Sequence, residues 1–109
     1  MMTRTIIRAM RDEFADIKRG FPRRLIQART YRNIATQAAL ARALGLRDAD
    51  RVSLWEAGDS YPRPDVMFRL IKLLGVTSDW LFFNDPSGLA RETYEDLVVK
   101  KMCDPGPQV

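Results

Sequence analysis

The chain has 109 residues, a length that accommodates one domain and is short for two. Its single Cys103 and complete lack of histidine exclude a disulfide framework, a cysteine-based metal site, the usual general base and the commonest metal ligand. The net charge of +4 is modest, and no apolar run approaches the ~20 residues of a membrane span, so a soluble cytoplasmic protein without metal or cofactor is expected.

The first 32 residues hold nine Lys or Arg against three acids, so the basic excess sits almost wholly in the N-terminal third. Such a surface either meets an anionic polymer or is a solvated arginine-rich helix face. The start "MMTRTIIRAMRDEF" has no uninterrupted apolar stretch of signal-peptide length. Ile6, Met10, Phe14 and Ile17 recur four, four and three apart, which draws one apolar stripe along a helix. Gly20 is expected to end that helix. The stripe either packs on the rest of the domain or pairs with the same stripe of a second chain; disorder is the third alternative.

Pro22 suits the first turn of a second helix running to about Arg32, with Leu25, Ile26 and Ala28 directed inward. Asn33 stands where a left-handed residue ends a helix. Thr36 is a good N-cap for a third helix, Gln37 to Leu44, whose inner face is Leu40, Ala41 and Leu44. Gly45 stops it. A fourth helix, roughly Ala49 to Ala57, turns Val52 and Trp55 inward, and Gly58 closes it. "DSYPRP" interrupts the helices; Asp65 then opens a fifth with an apolar face of Met67, Leu70, Ile71 and Leu74. Gly75 closes it, and Thr77 or Ser78 caps a short sixth helix through Trp80, Leu81 and Phe82. "NDPSG" is a turn or linker, followed by an amphipathic segment with Tyr94, Leu97 and Val98, and "CDPGPQV" is expected to fray. No segment alternates as a strand does. The expected architecture is all-α, with an N-terminal basic amphipathic arm over 1–20, a central domain over 21–85, and a linker, short helix and tail over 86–109.

Two short helices joined by a tight turn at Gly45 form a helix-turn-helix, which braces its first helix on phosphates and presents its second to base edges. A small bundle in which the turn is only a helix corner has the same local pattern. In order and spacing, "TQAALARALGL", "VSLWEAG" and "YPRPDVMFRLIKLLGVTSDWLFF" resemble the DNA-binding domain of the lambda repressor, Cro and Xre class over about residues 22 to 85. The resemblance implies a five-helix core with the helix-turn-helix at Gln37–Leu44 and about Ala49–Ala57, here with an extra helix at each end. It places the family's glutamine on Gln37, its leucine-alanine pair on Leu40 and Ala41, and its turn glycine on Gly45. The family's glutamate, glycine and loop proline fall on Glu56, Gly58 and Pro64. It also implies an ion pair between Arg29 and Glu56.

Six residues separate Gly45 from Val52 where five are commoner, so the turn is expected to bulge at Leu46–Asp48. Asp48 and Asp50 put two negative charges at the leading edge of the recognition helix. Asp48 is read as its cap, with the carboxylate on backbone N–H groups. Asp50 is either a base contact, accepting from a cytosine amine, or a solvated residue favoured by the helix dipole. Base reading would then lean on Arg47, Arg51, Ser53 and Leu54, the last meeting a thymine methyl or simply packing. Gln37 would hold register through phosphate or an adenine edge, and Thr36 would offer phosphate its backbone N–H. Arg32, Tyr61 and Arg63 flank the pair and would reach phosphate, the loop positions Tyr61 and Arg63 being otherwise solvated. Trp55, Trp80 and Phe68 are assigned to the core.

The function expected is a sequence-specific regulator of transcription, a repressor type, that binds double-stranded DNA as a homodimer on a palindromic operator. The dimer contact would come from the N-terminal helix, the Trp80–Phe83 region or the C-terminal helix. The alternative is a helix-turn-helix used to bind a protein partner, as an antitoxin-like or adaptor subunit. No nucleophile-and-base constellation or phosphate-cradling glycine loop supports an enzyme.

Overall fold

The computed structural model describes residues 3–106. Six helices follow in order: α1 Arg4–Tyr31, α2 Gln37–Ala43, α3 Asp50–Ala57, α4 Pro64–Leu74, α5 Ser78–Phe83 and α6 Arg91–Tyr94. One π-helical turn, Glu95–Val99, extends α6, and there is no strand among the described residues. The core gathers Phe21, Leu25 and Ala28 of α1 with Leu40, Ala41, Val52, Trp55, Leu70, Leu74, Trp80 and Leu81, all essentially buried.

Helix α1 corrects the expected break at Gly20. It runs unbroken for 28 residues through both Gly20 and Pro22. Gly20 is not a stop signal but a clearance. A Cβ there would stand 2.4 Å from the guanidinium of Arg24, which crosses the glycine to reach the end of α5. Pro22 has no N–H to donate back one turn, so the Lys18 carbonyl lacks its usual helical partner. The proline ring is buried, and Gly58 at the end of α3 packs on both: a Cβ at Gly58 would lie 3.2 Å from the Lys18 carbonyl oxygen and 3.6 Å from Pro22 Cγ.

Because α1 is continuous, its first four turns project from the domain. At about 1.5 Å per residue the helix is roughly 42 Å long, close to the 45 Å long axis of the molecule. Thr3 caps it, Oγ1 accepting from Ile6 N at 3.3 Å. The apolar stripe does not pack on the domain as one reading had it: Ile6, Ile7, Met10 and Phe14 are exposed, and only Ile17 is half-buried.

Three arginines close helix ends. Arg24 donates to the carbonyls of Leu81 and Phe82 at 2.8 and 3.1 Å. Arg32 donates to Leu74 O at 2.7 Å, and Arg69 to Leu44 O at 3.3 Å. Each places positive charge where orphan carbonyls and the helix dipole favour it. Burial lowers the pKa of Arg24 to about 10, which leaves it charged at neutral pH.

The C-terminal segment is tied to α1 by polar contacts. Buried Gln27 donates to Leu97 O and Met102 O at 2.9 and 3.0 Å, and the Tyr31 hydroxyl donates to Asp96. Arg23 grips Asp104 with two hydrogen bonds of 2.9 and 2.6 Å and holds its pKa below the ordinary carboxylate value. Residues 103–106 are therefore anchored, contrary to the frayed tail expected there; 107–109 lie outside the described residues.

Three inward assignments are corrected. Phe68 is 68% exposed, because Val66, Met67, Leu70 and Leu74 define the inner face of α4 and leave position 68 opposite. Ile26 is only half-buried, since Gln27 and Arg29 take the neighbouring inner positions. On α6 the buried residue is Thr93 and Tyr94 is exposed; in the π turn Leu97 enters the core with Val98 partly buried against it.

Gly58 has φ +80° and sits against immovable backbone. Gly58→Ala is expected to lower stability by about 1–3 kcal/mol, read by urea denaturation, without changing the helix content of the folded state.

Candidate nucleic-acid interface

The helix pair α2–α3 is built from its ends. Thr36 Oγ1 accepts from Ala39 N at 3.0 Å and starts α2. At the other end Gly45 takes φ +75°, which lets Gly45 N donate to Arg42 O at 3.1 Å and Leu46 N to Ala41 O at 2.8 Å. This paired return closes the helix and aims the chain toward α3. The same device, with Asn33 at φ +63°, ends α1.

The extra residue of the turn is taken up by Asp48. Its Oδ1 accepts from Asp50 N at 3.0 Å, so the carboxylate holds the backbone at the start of α3. Ala49 occupies the N-cap position and makes no side-chain cap. Asp48 thus turns one carboxylate oxygen to its own chain, as a short polar side chain commonly does in such a turn.

Helix α3 is fixed from beneath. Val52 and Trp55 are buried, and Glu56, on the same side, accepts from Arg29 through both oxygens at 2.9 and 3.1 Å. The two side chains are 9% and 5% exposed. Arg29 also donates to Ile34 O at 3.0 Å, and Gln37 Nε2 donates to Glu56 Oε1 at 3.1 Å. One carboxylate therefore joins the end of α1, the start of α2 and the last turn of α3.

The opposite face of α3 is open. Asp50, Arg51, Ser53 and Leu54 are exposed along it, and Arg47 and Asp48 continue it into the turn. Leu54 is 46% exposed, which replaces the packing reading with an outward apolar side chain. Arg47 and Arg51 border a shallow cleft of 360 Å³ with Asp48 and Gly45. Thr36 and Arg63 are exposed on the flanking segments. Tyr61 is not a free loop residue: its ring packs 5.5 Å from Phe21 and 6.1 Å from Phe82 while remaining 43% exposed.

Two expected contacts are placed differently. The Arg32 guanidinium caps α4 through Leu74 O and lies 3.3 Å from Thr93 Oγ1, so it serves the fold where a phosphate contact was expected. Gln37 gives one amide hydrogen to Glu56. Position and exposure add Arg42, outward on α2, which the spacing arguments passed over. Its signal was available: it falls between the inward pair Leu40–Ala41 and Leu44, on the side that faces away from both.

A family model for the helix-turn-helix of the Cro/C1 type matches residues 25–81, just over half of the chain, which therefore belongs to that family. It is a family of DNA-binding transcription regulators. No curated protein and no solved structure matches the chain. No helix among the described residues is long and apolar enough to cross a membrane.

Removing one member of the buried pair leaves the other charge without compensation. Glu56→Ala is expected to cost about 3–5 kcal/mol in stability, measured by urea denaturation. A double-mutant cycle with Arg29→Met should show strong coupling, because the two losses share one interaction.

Proposed function

We propose that this Cro/C1-type helix-turn-helix protein is a repressor that binds a palindromic operator as a homodimer. The observation that carries the reading is the contrast across α3. One side is locked to two other helices through Glu56, and the other presents polar side chains with nothing over them. A rigid helix with an open polar edge is what major-groove reading requires.

In this reading α3 enters the groove with Asp50, Arg51, Ser53 and Leu54, and Arg47 reads from the turn. Arg51 and Arg47 suit guanine O6 and N7, which a guanidinium takes bidentately; Asp50 suits a cytosine amine and Leu54 a thymine methyl. Thr36, Gln37, Arg42, Tyr61 and Arg63 hold the backbone and set the register. One such module covers few base pairs, so two half-sites a helical turn apart supply the remaining specificity.

The alternative, a protein-binding use of the same fold, is favoured by one observation. Arg47 and Arg51 are matched by Asp48 and Asp50, so the edge of α3 carries no net charge. Selection from a randomised DNA pool, repeated across salt, separates the two. The proposal expects an enriched palindrome and an affinity that falls steeply with salt. Arg51→Ala should relax one base position at a cost of roughly 1–3 kcal/mol, while Arg63→Ala should weaken all sequences alike. No enrichment and a flat salt response would instead establish the protein-binding use.

A further inference from the structure

The stripe of α1 leaves four large apolar side chains uncovered by the domain. Ile6, Ile7, Met10 and Phe14 are 48%, 38%, 40% and 67% exposed. The stripe runs down to half-buried Ile17, at the edge of a cleft of 760 Å³ that Phe82 and Phe83 line together with charged residues, Glu13, Asp16, Arg19 and Arg24 among them. Phe82 stacks on Phe21 at 4.7 Å and Tyr61 leans on both, so an aromatic shelf closes the lower end of the stripe. Phe83 and Tyr61 are themselves 56% and 43% exposed. Arm and shelf together form a notch.

We infer that the notch is filled by the arm of a second copy lying antiparallel on the first, so that each arm tip reaches the other copy's shelf. The inference rests on the dimeric reading proposed above and supplies its contact.

Orientation follows from the helix itself. Ile7, Met10, Phe14, Ile17, Phe21, Leu25 and Ala28 recur three or four residues apart, so the stripe lies on the same face of α1 as the domain's own core residues. Two arms paired in parallel would carry both domains into the same space beyond residue 20. A parallel pair would gain an ion pair from Glu13 to Lys18 of the second copy, but an exposed ion pair contributes little and cannot offset overlapping cores. Reversing one arm puts the two domains at opposite ends. The register that sets Met10 of each copy against Phe14 of the other also sets Ile7 against Ile17 and brings Thr3 level with Phe21 on the shelf.

The area is adequate and no more. With Tyr61 left to the phosphate backbone, Ile6, Ile7, Met10, Phe14 and Phe83, each about half exposed, offer roughly 500 Å² per copy, about 1,000 Å² for the pair, the least that a specific interface needs. Charge opposes the contact. Arg4, Arg11 and Lys18 recur every seven residues along one edge of the stripe, and reversing one helix brings like edges together. Six cations then line one side of the pair. Association driven by the stripe and opposed by that edge should strengthen with salt, the reverse of DNA binding.

The test uses the full chain with Cys103, an exposed free thiol, changed to Ser. Sedimentation without DNA should show a dimer whose dissociation constant falls roughly three- to tenfold between about 0.05 and about 0.5 M NaCl. Phe14→Glu, at an exposed position, should be folded by circular dichroism and monomeric. A mixture of Met10→Cys and Phe14→Cys proteins should cross-link between the two variants, as should Ile7→Cys with Ile17→Cys. A dimer that survives Phe14→Glu, or cross-links that join 10 to 10 and 14 to 14, would overturn the arm contact and leave the dimeric reading standing. A wild-type chain that is monomeric in solution and on its selected palindrome would overturn both.

Discussion

The arrangement of the helix-turn-helix depends on one buried carboxylate. Glu56 receives two hydrogen bonds from Arg29 and a third from Gln37, with both charged side chains almost wholly removed from water. A buried ion pair is weak evidence of net stability, since desolvation costs nearly as much as the attraction returns. Its consequence here is geometric. Arg29 is further fixed by the Ile34 carbonyl, so the guanidinium has little freedom, and the carboxylate that meets it sets the rotation of α3 about its own axis. An apolar contact in the same place would tolerate sliding and rotation; a forked hydrogen bond does not.

The same chemistry recurs at the helix ends. Arg24, Arg32 and Arg69 each cover the last carbonyls of a neighbouring helix, and Arg23 holds the C-terminal segment through Asp104. Four of the nine basic residues in the first 32 (Arg23, Arg24, Arg29 and Arg32) therefore serve the fold. The concentration of positive charge in that third is partly a record of how short helices are finished. What remains is Arg4, Arg8, Arg11, Lys18 and Arg19 on the projecting half of α1, and Arg19 leans on Asp16 at 2.7 Å.

The central domain was legible because its signals are local. Gly45 and Asn33 at left-handed turns, Thr36 and Thr77 as caps, and the inward spacing of Leu40, Ala41, Val52 and Trp55 each depend on a few neighbouring residues. The misreadings share a different cause. Gly20 looks like a helix stop until Arg24 is seen to need its space, and Pro22 looks like a helix start until Gly58 is found against it. Each of those residues takes its role from a partner far away in the chain. Phe68 is the exception: its exposure followed from the α4 periodicity alone, and its aromatic character drew it wrongly inward.

The two aspartates gain a sense from this distribution of charge. Asp48 holds the turn that the extra residue enlarges, and Asp50 N is what it holds. With Arg47 and Arg51 beside them, the outward edge of α3 carries no net charge. In the proposed complex, attraction to phosphate must then come from outside that edge, from Arg42, Arg63 and the cations of the arm. Such a division separates affinity from discrimination. A misaligned site still meets the flanking cations, but it brings carboxylates toward base-edge acceptors with which they cannot bond. Discrimination by repulsion then makes a neutral reading edge compatible with selective DNA binding.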